Sequence, residues 1–314
     1  MSSLSIKRTC ALLCLLLFFM SPGCRRRESW HTTTLLFFDT VCELKIHAPD
    51  SAVGPSKKDV SQIFSEIETL FSPGASLSNP LVNQLFTQSY DVYLKSEGRF
   101  DVSVAPLSRL WGFRSRSYAV PDKREILKTL TRIGLDRIKS SPEGLMIPDG
   151  MELDWGGVAK GFGIDRAVQR LRRNNISRGF LNAGGDLFCW GENPEEKDWR
   201  IGIQHPRREG FLGVLTITGV GAATTGDYQR FFIENGKRYH HVFDPKTGYP
   251  AQGKQSVTVI GPKTLLCDAL STALFVSADP EKVLASYPDY GAVLVDDKGI
   301  VTTIGRSFSL HLEP

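Results

Sequence analysis

Polar segments rich in glycine stand out in this sequence, and that composition suits loops that approach a ligand closely. They lie at residues 98–101, 153–161, 223–228, 239–248 and, on a predicted helix, 268–272. Their side chains are of types that bind phosphate, transfer a proton or hold a hard metal ion. Each segment also has an ordinary structural explanation, as a turn, a solvated face or a helix start.

The segment 153–161 places Gly156 and Gly157 just before a predicted helix that runs toward Leu171. The first N–H groups of a helix lack intrahelical partners and carry a partial positive charge, so phosphate binds there readily. Lys160 adds a full charge in the first turn. The spacing matches neither the Rossmann nor the Walker pattern, so no standard nucleotide fold follows. A phosphate site and a helix start with a solvated lysine are equal alternatives here.

Two adjacent histidines, His240 and His241, lie on a predicted strand that leads into a turn at Asp244 and Pro245. Neighbouring residues of a strand point to opposite faces, so the two imidazoles cannot serve one metal site. A single histidine near a phosphate site can act as an acid or a base close to neutral pH. A satisfied surface histidine is the alternative for each of them.

Asp268, Ser271 and Thr272 have the spacing i, i+3 and i+4 on a predicted helix, so they share one helix face. A carboxylate with hydroxyl or carbonyl oxygens forms a hard ligand set that suits Mg²⁺ better than zinc. We expect Asp268 to be the strongest ligand because it alone brings a full negative charge. The alternative is that the hydroxyls bond to helix carbonyls one turn back.

The remaining segment, Gly-Arg-Phe-Asp at residues 98–101, is followed by Trp111 and Phe113. Glycine and aspartate suit a tight turn whose backbone can approach a ligand. By itself this segment is better explained as a turn beside a buried aromatic cluster.

Composition narrows the class of protein. The chain has 314 residues, of which 41% are apolar and 23% charged, as in ordinary globular proteins. The formal net charge is +4, and the runs of arginine at 25–27 and around Arg170, Arg172 and Arg173 are short and scattered. Nucleic-acid binding needs a basic stripe with interleaved aromatic residues, so we expect no nucleic-acid partner.

Residues 1–23 have the layout of a lipoprotein signal peptide. Lys7 and Arg8 precede an apolar stretch, residues 10–20, that is too short to span a bilayer comfortably. Cys24 follows a glycine, as at a processing site where diacylglycerol is attached to the cysteine. The sequence thus predicts export and a lipid anchor that holds the protein at the inner membrane, facing the periplasm. A plain secretory signal and an uncleaved anchor are the alternatives.

The other cysteines are Cys42, Cys189 and Cys267, which form no Cys-x-x-Cys pair. Neither a zinc site nor a disulfide framework is therefore predicted. One disulfide would be compatible with export, but the spacing does not identify it.

The segment 24–34 reads as a polar tether, and 35–314 as one domain without a long internal linker. A strand is predicted at 35–46, and Ser56 opens a capping-box pattern before a helical stripe that begins at Val60. Further helical stripes begin near Leu81, Pro121, Ile164 and Leu266. Strands cluster between these helices rather than alternating with them. The pattern favours an α+β fold with a mostly antiparallel sheet core and flanking helices.

Taken in order, the polar segments resemble the motifs of the ApbE family. The run Leu-Asp-Trp-Gly-Gly-Val-Ala-Lys-Gly is similar to the family pattern Leu-Asp-x-Gly-Gly-x-Ala-Lys-Gly. The matches lie at residues 98–113, 153–161, 223–228, 241–248 and 256–273. Any one match is weak, but the five together in this order are specific. The resemblance extends from about Phe37 to Gly305.

The resemblance implies an FAD:protein FMN transferase. Such an enzyme cleaves the pyrophosphate of FAD with the help of Mg²⁺ and releases AMP. It attaches FMN through a phosphoester to a threonine or serine hydroxyl of an acceptor, usually an exported or membrane redox-pump subunit.

The same resemblance implies a set of site residues, with catalytic roles for His241 and Asp268. Those expected to contact FAD are Phe38, Arg99, Phe100, Asp101, Asp154, Lys160 and His241. Those expected to hold Mg²⁺ are Gly157 through its carbonyl, Asp268, Ser271 and Thr272.

Two departures from the family pattern fall in the expected ligand pocket. The family often has Ser-Thr-Tyr where this chain has Ser-Pro-Gly at 72–74, and Met-Gly-Thr becomes Phe-Asp-Thr at 38–40. These changes leave open whether water replaces the acceptor hydroxyl. The alternatives are therefore a Mg²⁺-dependent FAD pyrophosphatase, which yields FMN and AMP, and a non-catalytic FAD-binding lipoprotein.

Overall fold

The structure is a computed structural model that describes residues 27–72 and 74–313, so the predicted signal peptide and Cys24 lie outside the described residues. The helices are α1 (Asp50–Leu70), α2 (Pro80–Lys95), α3 (Ala105–Leu110), α4 (Lys123–Leu130), α5 (Ala159–Arg173), α6 (Thr264–Val276) and α7 (Pro280–Ala285). The strands are β1 (Glu28–Phe37), β2 (Thr40–Pro49), β3 (Lys139–Ser141), β4 (Gly144–Met146), β5 (Gly179–Ala183), β6 (Asp186–Trp190), β7 (Trp199–Gln204), β8 (Phe211–Ile217), β9 (Val220–Gly226), β10 (Phe231–Glu234), β11 (Lys237–His240), β12 (Lys254–Gly261), β13 (Gly291–Asp296), β14 (Val301–Gly305) and β15 (Ser309–Leu312).

The centre of the fold is an eight-stranded sheet in the order β1-β2-β5-β6-β9-β12-β13-β14. Each neighbouring pair is antiparallel. Helices flank this sheet, so the predicted α+β class with a mostly antiparallel core is confirmed.

Both faces of the sheet are covered. Side chains alternate across a strand, and in β6 Phe188 and Trp190 join the core beneath the helices, while Leu187 and Cys189 join a second core. The second core lies beneath a three-stranded sheet in the order β15-β8-β7. Because β6 contacts apolar residues on both sides, it is buried along its whole length.

The predicted tether at 24–34 is wrong for most of its length, because β1 begins at Glu28. β1 pairs with β2 over its full length, and the predicted strand at 35–46 is therefore a hairpin that turns at Phe38 and Asp39. The polar threonines of β1 suggested a tether, but β-branched residues favour a strand that is covered on one face only.

The helix α1 presents the predicted apolar stripe, with Val60, Phe64 and Ile67 fully buried. The predicted capping box at Ser56 is wrong, since α1 begins directly after β2 at Asp50. Asp50 lies in the first turn, where its negative charge interacts favourably with the positive end of the helix dipole.

The close approach of α5 and α6 places the site residues of the two helices together. A Cβ atom at Gly161 of α5 would lie 2.5 Å from the carbonyl oxygen of Thr264. Asp165 of α5 accepts hydrogen bonds from the backbone N–H groups of Thr264 and Leu265, at 2.8 and 3.1 Å, and so satisfies the start of α6. The two contacts fix the position of one helix relative to the other.

The described cysteines Cys42, Cys189 and Cys267 are all buried and unpaired. Burial raises the pKa of each thiol, that of Cys189 to about 12. In the described part of the chain, we find no helix with the length and apolar character needed to cross a bilayer.

Candidate functional site

A cavity of about 120 Å³ lies where one end of the central sheet meets the first turn of α5. Most of the polar segments identified from the sequence meet there. The predicted site residues that line it are Arg99, Phe100, Asp101, Asp154, Gly157, Lys160, His241, Asp268 and Thr272. Phe38 and Ser271 do not belong to this lining.

An ammonium group between two carboxylates forms the deepest part of the site. The Nζ atom of Lys160 lies 2.6 Å from Oδ2 of Asp186 and 3.8 Å from Oδ2 of Asp268. Burial alone would lower the pKa of Lys160, but the two carboxylates outweigh burial and raise it. Lys160 is therefore a fixed cation rather than the solvated lysine of the alternative interpretation.

Asp268 is buried, and its Oδ2 accepts a hydrogen bond of 3.3 Å from the backbone N–H of Gly161. Burial, and then repulsion by the neighbouring carboxylate of Asp186, raises the pKa of Asp268 well above its ordinary value. A cation bound at this carboxylate would favour its ionised form, so cation binding and proton release are coupled here.

Hydroxyl groups surround Asp268. The Thr225 hydroxyl lies 2.7 Å from that of Ser271 and 3.1 Å from that of Thr272. Ser271 also donates to the carbonyl of Asp268 at 2.8 Å, which is the bond that the structural alternative predicted for this residue. A Cβ atom at Gly157 would lie 3.5 Å from the Thr272 hydroxyl, so the backbone of Gly157 borders the same space.

This donor set fits a hard cation. It consists of one carboxylate, hydroxyl oxygens and a nearby backbone, which is the chemistry that Mg²⁺ prefers. Among residues 27–72 and 74–313, no group of three or more histidine, cysteine, aspartate or glutamate side chains could hold a metal ion.

His241 lines the same cavity as Lys160 and Asp268. Its Nδ1 is 3.2 Å from the carbonyl oxygen of Arg230, which can only accept a hydrogen bond. The neutral imidazole therefore carries its proton on Nδ1, and Nε2 is left as an acceptor. Burial, and then the charge of Arg230, lowers the pKa of His241 to about 3, so the ring is neutral at physiological pH.

His240, the last residue of β11, does not line the cavity, whereas His241 does and lies just beyond the strand on which it was predicted. Its ring is buried, with Nε2 2.7 Å from the carbonyl oxygen of Ala251 and Nδ1 accepting from the N–H of Val242 at 3.3 Å. The ring also packs against Phe275 with a centroid distance of 5.5 Å. Both ring nitrogens have partners, so His240 is a structural residue.

The turn at 98–101 holds the histidine segment in place. The guanidinium of Arg99 pairs with Asp244 at 2.8 Å, and the indole N–H of Trp111 donates to the carbonyl of Gly248 at 3.0 Å. Asp101 is turned toward Ser103, accepting from its N–H at 2.7 Å and from its hydroxyl at 2.6 Å. Burial raises the pKa of Asp101 to about 6. The sequence thus identified a segment that both borders the cavity and supports it.

Asp154 and Phe38 differ in their relation to the cavity. Asp154 accepts a hydrogen bond of 2.9 Å from the N–H of Gly156 and so shapes the glycine loop before α5. Phe38 packs on Phe64 with a centroid distance of 5.0 Å and lies outside the lining. It occupies the hairpin turn with φ of +56°, a left-handed conformation that is rare for an aromatic residue.

Several residues of the site were missed by sequence reasoning, chiefly Asp186, Thr225, Gln229 and Arg230. Asp186 follows two glycines, Gly184 and Gly185, and opens β6, so it resembles an ordinary turn residue. A signal did exist for Thr225, which lies in a polar segment that ends strand β9 beside Asp268. No comparable signal marks Arg230.

A cavity lined by a cation, oxygen atoms and a neutral histidine has the chemistry that suits a phosphate-bearing ligand. The sequence profile of the ApbE family matches residues 38–293, and this chain belongs to the ApbE family. It is 34% identical over 227 residues to the FAD:protein FMN transferase of Haemophilus influenzae, covering 68% of this chain and 66% of that protein. A Klebsiella pneumoniae relative of the same name is 35% identical, with 64% of this chain and 63% of that protein aligned. This chain therefore spans slightly less than two thirds of these two relatives.

Other relatives match over nearly their full length. The FAD:protein FMN transferase of Treponema pallidum is 27% identical over 94% of this chain and 92% of its own length. The crystal structure of the ApbE protein of Thermotoga maritima has a TM-score of 0.81 and 28% identity, covering 88% of this chain and 97% of that one. The apo form of Pseudomonas stutzeri flavinyl transferase ApbE has a TM-score of 0.79 at 25% identity, covering 88% of this chain and 95% of that one.

Proposed function

We propose that this protein is an FAD:protein FMN transferase, which moves FMN from FAD to a threonine or serine hydroxyl of an acceptor protein and releases AMP. One observation carries the proposal above all. A fixed ammonium group, an oxygen-rich set suited to a hard cation and an imidazole with a free Nε2 face one cavity. These are the groups that phosphoryl transfer to a hydroxyl needs.

Mg²⁺ would be held by Asp268 and Thr272, with the carbonyl of Gly157 beside them. Ser271 is the least available member of the expected set, since its hydroxyl is bonded to Thr225 and to the carbonyl of Asp268. When bound, Mg²⁺ neutralises charge on the pyrophosphate and makes AMP a better leaving group.

The residues of the chain supply the rest of the chemistry. Lys160 attracts the phosphate oxygens and holds the pyrophosphate close to Asp268. Nε2 of His241 accepts the proton of the acceptor hydroxyl as its oxygen forms a bond to the phosphorus of the FMN moiety. The bond between that phosphorus and the bridging oxygen breaks, and AMP leaves with the bonding electron pair.

The flavin and adenine parts of FAD would need contacts beyond the pyrophosphate. Arg99, Phe100, Asp101 and Asp154 line the cavity and would supply them. Phe38 would contact FAD only if the ligand reached past the lining toward the hairpin turn. It is therefore the weakest of the proposed FAD contacts.

Attachment to the inner membrane through a lipid on Cys24, facing the periplasm, is part of the proposal. It is supported by the signal layout of residues 1–23. The acceptor would then be a redox protein that exposes a hydroxyl on the same side of the membrane, such as a redox-pump subunit.

The test combines two measurements on purified protein with FAD and Mg²⁺. AMP release is followed by chromatography, and flavin transfer by fluorescence of an acceptor fragment in a denaturing gel. A transferase labels the acceptor and releases an equal amount of AMP. AMP without a labelled acceptor, across several candidate acceptors, would establish the pyrophosphatase instead. FAD binding without AMP would establish a non-catalytic flavin-binding protein.

A further inference from the structure

The two ends of the central sheet differ in character. The cavity lies at the end where β6 begins with Asp186. At the other end β1 begins with Glu28, which pairs with Pro49 at the end of β2. α5 runs between these ends, and at a rise of about 1.5 Å per residue its fifteen residues span about 22 Å.

We call the end away from the cavity the basal face. It comprises the start of β1, the first half of α1, the last turn of α5 and residues 174–178, with the start of α6 beside them. These parts adjoin one another, because the N–H of His47 donates to the carbonyl of Arg178 at 3.1 Å and Asn174 donates to Asp59 at 2.7 Å.

The basal face carries many exposed cations. They are Arg27, Lys57, Lys58, Arg170, Arg172, Arg173 and Lys263. Its acidic residues are mostly engaged, with Glu28 3.2 Å from His47, Asp50 3.4 Å from His31, and Asp59 3.3 Å from Arg170. Glu192 lies 3.6 Å from Arg178.

Six of these cations have no ion pair within 4.0 Å to any residue of the described ranges, namely Arg27, Lys57, Lys58, Arg172, Arg173 and Lys263. The guanidinium of Arg172 lies over the ring of Phe188, 5.2 Å from its centroid. The positive charge of this end is thus left open to solvent or to an anionic partner.

A cavity of about 620 Å³ opens along the side of α5, from Phe162 in its first turn to Arg173 in its last. Its cationic lining residues are Arg166, Arg172, Arg173 and Lys263. Its one lining carboxylate, Asp165, is turned toward the N–H groups of Thr264 and Leu265. The space is large enough for an anionic headgroup, and its charge is complementary to one.

The position of the chain start agrees with a membrane partner. Arg25, Arg26 and Arg27 separate Cys24 from the first strand residue, Glu28. At about 3.5 Å per residue these four steps reach at most about 14 Å. A lipid on Cys24 would therefore hold the basal face, and not the cavity, close to the bilayer.

We infer that the basal face binds an anionic phospholipid surface and sets the protein upright, with the FMN-transfer site about 20 Å away from the bilayer, roughly the length of α5. The inference rests on the proposed function, which makes the cavity the FMN-transfer site, and on the proposed lipid anchor at Cys24, which brings the basal face close to the bilayer. It specifies the acceptor further, because the hydroxyl that receives FMN must lie at a similar height above the membrane.

The experiment is hydrogen exchange on full-length protein purified from membranes and placed in lipid nanodiscs. One set of discs contains phosphatidylcholine alone, and the other contains equal parts of phosphatidylcholine and phosphatidylglycerol. We expect residues 170–178 to exchange several-fold more slowly in the anionic discs only, and 241–248 to exchange equally in both. Salt at 1 M should remove the difference, because charges are then screened over about 3 Å.

Matched variants make the test specific. Arg172→Glu with Arg173→Glu should abolish the protection, whereas Lys123→Glu with Lys128→Glu on α4 changes the net charge equally and should preserve it. The inference would be overturned by equal exchange in both kinds of disc or by protection centred on the cavity. It would also be overturned if the protein could not be recovered together with lipid. FMN transfer to a soluble acceptor in detergent should be the same in both double variants as in wild-type protein. If wild-type protein itself transfers no FMN in this assay, that result contradicts the proposed function and not the inference about the basal face.

Discussion

At the scale of single residues, the site is defined by which polar groups already have partners. His240 has both ring nitrogens satisfied within the fold, whereas His241 uses only Nδ1 and keeps Nε2 available. The ammonium group of Lys160 is likewise held by Asp186 at 2.6 Å, with Asp268 at 3.8 Å, before any ligand is bound. Pre-organised groups of this kind stabilise a transition state without reorganising during the reaction.

The histidine pair gives a direct test of this difference. His241→Ala should lower FMN transfer by about 10²-fold or more, because it removes the base that accepts the hydroxyl proton. His240→Ala should lower the free energy of unfolding by about 1–3 kcal/mol, because it removes buried hydrogen bonds, but folded protein should transfer FMN at close to the wild-type rate. Labelling of an acceptor fragment and urea denaturation separate the two effects. Equal loss of transfer per folded molecule would contradict the assignment.

Asp268 gives a test of the metal. Asp268→Asn should abolish FAD cleavage with little change in the fold, and EDTA should do the same to wild-type protein until Mg²⁺ is restored. Because the pKa of Asp268 is raised and Mg²⁺ needs the carboxylate, Mg²⁺ affinity should rise with pH, with proton release on binding. Calorimetry in two buffers with different ionisation enthalpies measures that release. AMP release at the wild-type rate in EDTA would show that the Mg²⁺ assignment is wrong.

At the scale of elements, the site depends on how closely α5 and α6 approach. A Cβ at Gly161 would meet backbone atoms of α6 at 2.5 and 2.7 Å, whereas the nearest neighbours of a Cβ at Gly163 would be the rings of Phe38 and Phe64 at 3.4 Å. The two glycines of α5 thus differ in the space around them. A side chain at Gly161 would push α5 and α6 apart, and Lys160 and Asp268 lie on these two helices.

We therefore expect opposite results from two alanine substitutions in α5. Gly161→Ala should destabilise the fold by about 1–3 kcal/mol through overpacking and should also lower FMN transfer. Gly163→Ala should be neutral or slightly stabilising, since alanine favours a helix by about 1 kcal/mol over glycine. Urea denaturation at equilibrium gives both values. If the two variants lose equal stability, helix contact at Gly161 is not what limits the spacing.

The sequence predicted the elements that carry a strong period and missed those whose pattern is ambiguous. The stripe on α6 and the polar face at Asp268 were visible because both follow the 3.6-residue repeat. The start of α1 was missed because Gly54 and Pro55 resemble a break, yet the helix passes through them. Asp186 was missed because its role arises from the contact of its carboxylate with Lys160 on α5, which no local pattern of the sequence records.

At the scale of the whole molecule, the start of β1 and the cavity lie at opposite ends of the central sheet. The structure places β1 at an edge of the sheet, with α1 following β2 directly. Any attachment before Glu28 therefore acts on the end away from the cavity. Mutations that change the proposed membrane attachment would then be separable from mutations that change FMN transfer.

Cys24→Ala tests the attachment by itself. We expect the variant to be released from the membrane or to accumulate as unprocessed precursor, because no acyl chains can be attached. Any folded protein recovered should still transfer FMN in solution, since Glu28 already begins the sheet. Fractionation with mass spectrometry of the N-terminus distinguishes the forms. Unchanged processing and membrane retention would rule out the lipoprotein proposal.

Three buried thiols would have a consequence if the protein is exported as proposed. Cys42, Cys189 and Cys267 are shielded and protonated in the native fold, so within residues 27–72 and 74–313 an oxidant would meet no reactive thiol. Once the chain opens, the same thiols can form non-native disulfides that prevent it from closing again. The lifetime of the enzyme in an oxidising compartment would then be set by how often it unfolds, and reductant should prolong it.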